Sequence, residues 1–217
     1  MVEIKAKGIL YDMDGTLVDT VACVERAWRE KGFQHGIDGD ELVKHVHGCS
    51  AIDIVKAHFP PECHTQEFCQ AFELEVVHQT DGVSAVPGSH RALESVSPDK
   101  WAVVTAASRL WAETRLTQVG HPLPQRMLAA GDVKVGKPNP EGYLTGARTL
   151  GVDPKDVVIF EDAVNGVRAG VAAGATVIAL LTSFPREELE AAGAKYIVKD
   201  FTSIDIVDCG DHITISF

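Results

Sequence analysis

The stretch GILYDMDGTLVD, residues 8 to 19, places three aspartates just behind a short apolar run, and two of them, Asp12 and Asp14, are separated by a single residue. Two acids two residues apart on an extended chain project from the same side. A carboxylate at the mouth of a buried strand is costly unless something cationic meets it, and Gly15 permits a sharp turn directly after the pair. The arrangement asks for a metal ion. A second acidic pair, Glu161-Asp162, follows another apolar run, Val157 to Phe160, and adds hard oxygen donors of the kind Mg²⁺ takes. Lys137, within GKPNPEGY at 136 to 143, and Thr105, after the run Trp101 to Val104, supply a cation and a hydroxyl donor, which suit a phosphoryl group better than metal storage.

Each of these residues also has a plainer role open to it. Asp162 suits the N-cap of a helix beginning at 163. Lys137 fits a solvated loop before Pro138, and Thr105 a strand end bonded to its own backbone. Thr16 suits stabilisation of the turn after the paired acids, and Asp19-Thr20 the N-cap of the next helix.

These side chains need a scaffold that brings distant segments together. Short β-rich runs, Gly8 to Tyr11, Trp101 to Val104 and Val157 to Phe160, each end in one of the polar clusters, and Thr176 to Leu180 and Tyr196 to Val198 add two more strands. Helical patterns separate them, over Arg109 to Val119, Pro140 to Leu150 and Ala163 to Ala173. Strands alternating with helices predict an α/β fold, a Rossmann-like parallel sheet with helices on both faces. Ligands of such sheets gather outside the carboxyl ends of the strands, where the three clusters should meet. From about Thr20 to Gln79 only helical patterns occur, broken at Gly32, Gly36, Gly39, Gly48 and Pro60-Pro61. This predicts an inserted all-α domain over 18–83, with the core formed by 1–17 and 84–217. The return passes through DGVSAVPG at 81 to 88, which suits a hinge, and the tail from Ile204 to Phe217 reads as a terminal hairpin.

With 217 residues, 45% hydrophobic and 24% charged, the chain has the composition of an ordinary soluble globular protein. A net charge of -11 disfavours nucleic acid or an anionic membrane as partner. Five cysteines, odd in number and without a C-x-x-C, argue against a disulfide framework and for a reducing, cytoplasmic setting. His58, Cys63, His64 and Cys69 match no usual zinc spacing. No stretch approaches the ~20 apolar residues of a membrane span, and MVEIKAKGIL lacks the apolar segment of a signal peptide.

DMDGT at 12 to 16, VVTAAS at 103 to 108, GKPNP at 136 to 140 and FEDAVNG at 160 to 166 together resemble the four motifs of the haloacid dehalogenase superfamily of phosphotransferases, in order and across essentially the whole chain. The resemblance implies that Asp12 is a nucleophile forming an aspartyl-phosphate and that Asp14 is the general acid and base. It implies phosphate binding by Thr105, Lys137 and backbone N–H groups near Gly15. Mg²⁺ would be held by Asp12, the backbone carbonyl of Asp14, Asp162, and Glu161 directly or through water. The helical insertion looks like the family's small α-helical cap. VERAW at 24 to 28, VPG at 86 to 88 and DVKVGKPNPEGYL at 132 to 144 resemble its sugar-phosphate, glycerol-phosphate and 2-deoxyglucose-6-phosphate phosphatases.

The activity implied is Mg²⁺-dependent hydrolysis of a small phosphorylated sugar or polyol, with a β-phosphoglucomutase-like phosphomutase as the alternative. Family mutases carry a cap histidine where this chain has Val24, and a phosphate-gripping arginine where it has Cys49, Ser50 and Ala51; losing both favours hydrolysis. Trp28 matches an aromatic position near the sugar in related enzymes, and the loop of His47, Gly48 and Cys49 resembles the family's specificity loop, although Trp28 and His47 also suit simple packing. Ala106 stands where similar phosphatases have a serine after the threonine. A built-in cap removes the need for a partner subunit to shield the site, so a monomer is expected.

Overall fold

The computed structural model describes residues 2–217. Six parallel strands form the central sheet in the order Met127–Leu128, Trp101–Val104, Gly8–Tyr11, Val157–Glu161, Thr176–Leu180 and Tyr196–Val198. The first strand in sequence therefore lies inside the sheet, with Leu10 opposite Ala102 on one side and Ile159 on the other. Both faces of this strand are buried, as expected for a parallel sheet covered by helices. Ile9 and Tyr11 point into a core shared with Trp111, Ala112 and Leu116 of the helix Arg109–Gln118. Leu10 points into the opposite core, with Tyr143 and Ala147 of Glu141–Leu150 and Val167 of Val164–Ala172. Full burial of an aliphatic side chain contributes about 1.5–3 kcal/mol, so the alternation fixes the register of the strand firmly.

The α/β fold expected from the alternating pattern is the one observed, with two additions. Met127–Leu128 forms a two-residue edge strand. The terminal hairpin, Asp205–Asp208 against Ile213–Ser216, is extended by Glu3–Ala6 into a separate three-stranded antiparallel sheet.

Between Val18–Asp19 and Ser84–Ala85, which pair antiparallel, the chain is helical: Val21–Gln34, Gly39–Leu42, Ala51–His58 and Gln66–Val76. Asp38, Ser50 and Thr65 cap three of these helices with their side chains. Trp28, Phe59 and Phe72 meet in edge-to-face contacts at their centre. Among the described residues no helix is long and apolar enough to cross a membrane. All five cysteines are free.

Candidate active site

Asp12 follows Gly8–Tyr11, Thr105 follows Trp101–Val104, and Glu161 ends Val157–Glu161 with Asp162 next. Because these three strands are neighbours and parallel, their ends deliver the side chains to one place. Asp12 is 7% exposed, Asp162 1% and Glu161 0%. One carboxylate oxygen from each lies within 4.8 Å of the other two, and no other His, Cys, Asp or Glu cluster among the described residues is as compact.

Lys137 is no solvated loop residue. Its ammonium is buried, 2.5 Å from Asp12 Oδ1 and 2.6 Å from Glu161 Oε1. Burial works against its charge, but Asp12 and Glu161 outweigh burial and hold it well above the ordinary lysine range. Glu161 Oε1 also accepts the Tyr143 hydroxyl at 2.7 Å, while Oε2 accepts the backbone N–H groups of Asp162 and Ala163. Glu161, and not Asp162, thus serves the amides at the start of the Val164–Ala172 helix, whose N-cap position is Ala163. Both oxygens of Glu161 are engaged by protein donors, which makes it chiefly a holder of Lys137.

Asp162 is held from two directions. Thr16 donates its hydroxyl to Oδ1 at 3.0 Å and Ser183 donates to Oδ2. Burial first, and the Glu161 charge second, push its carboxyl up to about 8. Asp12 moves in the same direction, driven mainly by burial and opposed by Lys137. Acids raised in this way are short of positive charge, and their donors are all hard oxygens, which is the chemistry of a Mg²⁺ site.

Asp14 Oδ1 accepts the Thr20 hydroxyl at 2.7 Å and the Trp111 indole N–H at 3.0 Å. Burial raises the Asp14 carboxyl, while these two bonds counter it. Thr20 occupies the N-cap position of Val21–Gln34 but makes no side-chain capping bond, because its hydroxyl is turned to Asp14. The Asp19 carboxylate reaches Val21 N at 3.3 Å instead.

Gly15 has φ +78°, and a Cβ there would stand 2.1 Å from Asp162 Oδ2. Its own N–H is bonded to Val18 O at 2.7 Å, so its contribution is space for Asp162 to approach. The Thr105 hydroxyl accepts Ala107 N–H at 3.0 Å, the local turn bond expected of a strand end, and Thr105 also faces the cavity.

A cavity of about 780 Å³ opens over Asp12, Asp14, Thr105 and Lys137, roofed by the helical insertion. Val24, Trp28, His47, Gly48 and Cys49 line its far side. Trp28 is buried, with its ring 4.7 Å from that of Phe72, and His47 pairs with Glu25 at 3.2 Å and packs edge-on to Phe184. Gly48, at φ +73°, brings its loop against Ala163, where a Cβ would come within 2.8 Å. Cys49 Sγ accepts Asn165 Nδ2–H at 3.2 Å. Lining residues and core thus touch directly.

The arrangement combines a buried carboxylate bonded to a buried cation, a second acid with one oxygen that meets no donor among the described residues, and a compact set of carboxylates that could hold a cation, all under a roofed cavity. Thr16, Thr20, Trp111, Tyr143 and Ser183, which hold these groups, were not assigned to the site from sequence. Thr16 and Tyr143 lie inside quoted motifs, DMDGT and GKPNPEGY; Thr20, Trp111 and Ser183 lie in none.

Residues 6–174 match the family model described as haloacid dehalogenase-like hydrolase. The chain is 36% identical to 2-deoxyglucose-6-phosphate phosphatase 1 of Saccharomyces cerevisiae, covering 95% of this chain and 93% of that protein. It is 37% identical to hexitol phosphatase A of Escherichia coli, covering 81% and 83% respectively. Among solved structures, CbbY from Rhodobacter sphaeroides in complex with phosphate superposes with a TM-score of 0.76 at 26% identity, covering 90% of this chain and 95% of that one.

Proposed function

Since the chain belongs to the haloacid dehalogenase-like hydrolases, we propose that it is a Mg²⁺-dependent phosphatase of small sugar or polyol phosphates, with residues 18–83 acting as a cap over a core of 1–17 and 84–217. The observation that carries this reading is the placement of Asp12 and Asp14 beneath one cavity, the first bonded to Lys137 and the second anchored through one oxygen only. The likeness to phosphatases of 2-deoxyglucose 6-phosphate and of hexitol phosphates supports the substrate class.

Asp12 attacks phosphorus and forms an aspartyl-phosphate as the P–O bond to the sugar breaks. Asp14 gives its proton to the departing oxygen, then takes one from the water that cleaves the acyl phosphate, so one carboxyl serves both half-reactions. Lys137 and the Thr105 hydroxyl meet the phosphoryl oxygens, whose charge is what the site must stabilise. Asp12, Asp162 and the Asp14 carbonyl would hold Mg²⁺, and Glu161, whose oxygens already serve four donors, would support the site chiefly through Lys137. Bound there, the ion adds charge stabilisation on the phosphoryl group. Trp28, His47 and Gly48 shape the cavity wall that selects the sugar, and the apolar Val24 offers no proton acceptor there, which favours hydrolysis over a mutase cycle.

Phosphate release from a panel of hexose, pentose and polyol phosphates tests the reading. Turnover that needs Mg²⁺ and disappears in Asp12→Asn is expected; release that survives this substitution rules the mechanism out.

A further inference from the structure

The two oxygens of Asp14 have different surroundings. Oδ1 takes both donors, Thr20 and Trp111, while Oδ2 meets no protein donor among the described residues and Asp14 borders the cavity. The donors differ in kind. A hydroxyl rotates and gives or takes a proton, whereas an indole N–H only donates. An oxygen facing that N–H is kept an acceptor, so the proton Asp14 exchanges has to reside on the other oxygen.

The indole is itself held in place. Its ring lies 4.0 Å from the guanidinium carbon of Arg115, which is fully buried. Arg115 donates to the carbonyl of Val76 at 3.1 Å, to that of Gln79, and to Gln118 Oε1 at 2.7 Å. Val76 closes the helix Gln66–Val76, whose carbonyl end favours a cation. A buried guanidinium is expensive unless its donors are satisfied; the terminal nitrogens of Arg115 are, its buried Nε–H has no partner among the described residues, and its flat face supports one tryptophan. Ser108, at the start of the same Arg109–Gln118 helix, links it to Gln66–Val76: its oxygen accepts the backbone N–H of Trp111 at 3.1 Å and its hydroxyl donates to the Glu73 carboxylate.

We propose that Trp111 is a positioning residue that fixes Oδ2 of Asp14 as the oxygen exchanging a proton with the leaving group. This rests on the reading of Asp14 as the proton carrier. It is a property of one side chain on the core helix, 97 residues from Asp14 in sequence.

Two substrates separate proton delivery from phosphoryl handling. An alkyl phosphate such as glycerol phosphate needs its leaving oxygen protonated; p-nitrophenyl phosphate, with a good leaving group, does not. The ratio kcat/KM reports the steps through departure of the leaving group and is therefore the readout. Trp111→Phe keeps an aromatic ring over Arg115 and removes the N–H. Its kcat/KM on the alkyl phosphate is expected to fall about tenfold, part of the 10²–10⁴ that a general acid contributes, with p-nitrophenyl phosphate changed less than about twofold. Equal losses on both substrates, or no loss on either, overturn the proposal. Asp14→Asn is run in parallel: if it spares the alkyl phosphate, the reading of Asp14 fails and Trp111 with it, whereas a selective loss in Asp14→Asn without one in Trp111→Phe overturns the positioning role alone. Should Trp111→Phe lose its native circular dichroism, replacing Trp111 by benzothienylalanine, which has sulfur for N–H in the same ring outline, gives the same comparison.

Discussion

Lys137 Nζ lies 2.5 Å from Asp12 Oδ1, although 125 residues separate the two in sequence. The ammonium neutralises a carboxylate that is otherwise buried beside two others, and it brings a positive charge to the place where phosphate would bind. Replacing it with the similarly long but neutral methionine leaves Asp12 and Glu161 facing each other. In chelator, Lys137→Met should lose about 3–5 kcal/mol of stability in urea denaturation, the usual result of removing one partner from a buried pair. Phosphate release should fall by roughly 10²-fold or more, as when a donor to transition-state charge is removed.

Stability of the metal-free protein should decline as pH rises. Asp162 titrates near 8 when folded, against about 3.9 for an unfolded aspartate, and Asp12 is displaced in the same direction. The folded state therefore binds more protons than the unfolded one across this interval. The associated stability is complete below about pH 4 and is lost as pH climbs toward 8. Mg²⁺ should reverse the trend by compensating the ionised carboxylates, adding about 2.7 kcal/mol at a hundredfold excess over its Kd. Thermal melts from pH 5 to 8, with chelator and with Mg²⁺, check this; a metal-free Tm that rises with pH contradicts it.

Gly15→Ala should separate folding from metal binding. The left-handed backbone costs a residue with a Cβ about 1–2 kcal/mol, a tolerable loss for the fold. The methyl would also occupy the place of Asp162 Oδ2. The variant is expected to fold with a modestly lower Tm and to lose most of the Mg²⁺-induced Tm increase and of the turnover. Retention of the full Mg²⁺ response would show that Asp162 does not hold the ion.

Trp28 and His47 both border the cavity but should respond differently to truncation. Trp28 is locked between Phe59 and Phe72, so Trp28→Ala should cost about 3–5 kcal/mol, as for other buried aromatics. His47, with its side chain 14% exposed between Glu25 and Phe184, should change KM across a sugar panel when replaced by alanine, with a stability loss of about 1 kcal/mol, the usual centre for point substitutions. Urea denaturation and KM measured on the same panel distinguish the two.

The parts of this molecule that sequence made legible are those written in local pattern. Gly8–Tyr11, Trp101–Val104 and Val157–Glu161 are continuous apolar runs, and the polar residues at their C-terminal ends mark the site. Met127–Leu128 is too short to carry any periodicity, and Glu3–Ala6 becomes a strand because the C-terminal hairpin offers it an edge. Thr20 has the right chemistry and place for an N-cap, but a buried carboxylate is a stronger acceptor requirement than a partly solvated helix end, and Asp14 takes its hydroxyl. Trp111 on an amphipathic helix reads as core, and core it is; nothing local announces that its one polar atom meets Asp14. Lys137 is legible through its motif, GKPNP, whereas its burial between two acids depends on strands that are distant in the chain.

The pairing of Val18–Asp19 with Ser84–Ala85 means that the chain leaves the core and returns to it through adjacent positions. Everything between them is a detour hung on a two-stranded stem, and no strand of the sheet has to be rethreaded if the detour is lengthened, shortened or replaced. Grafting at this single stem should therefore alter the roof of the cavity while leaving the floor intact.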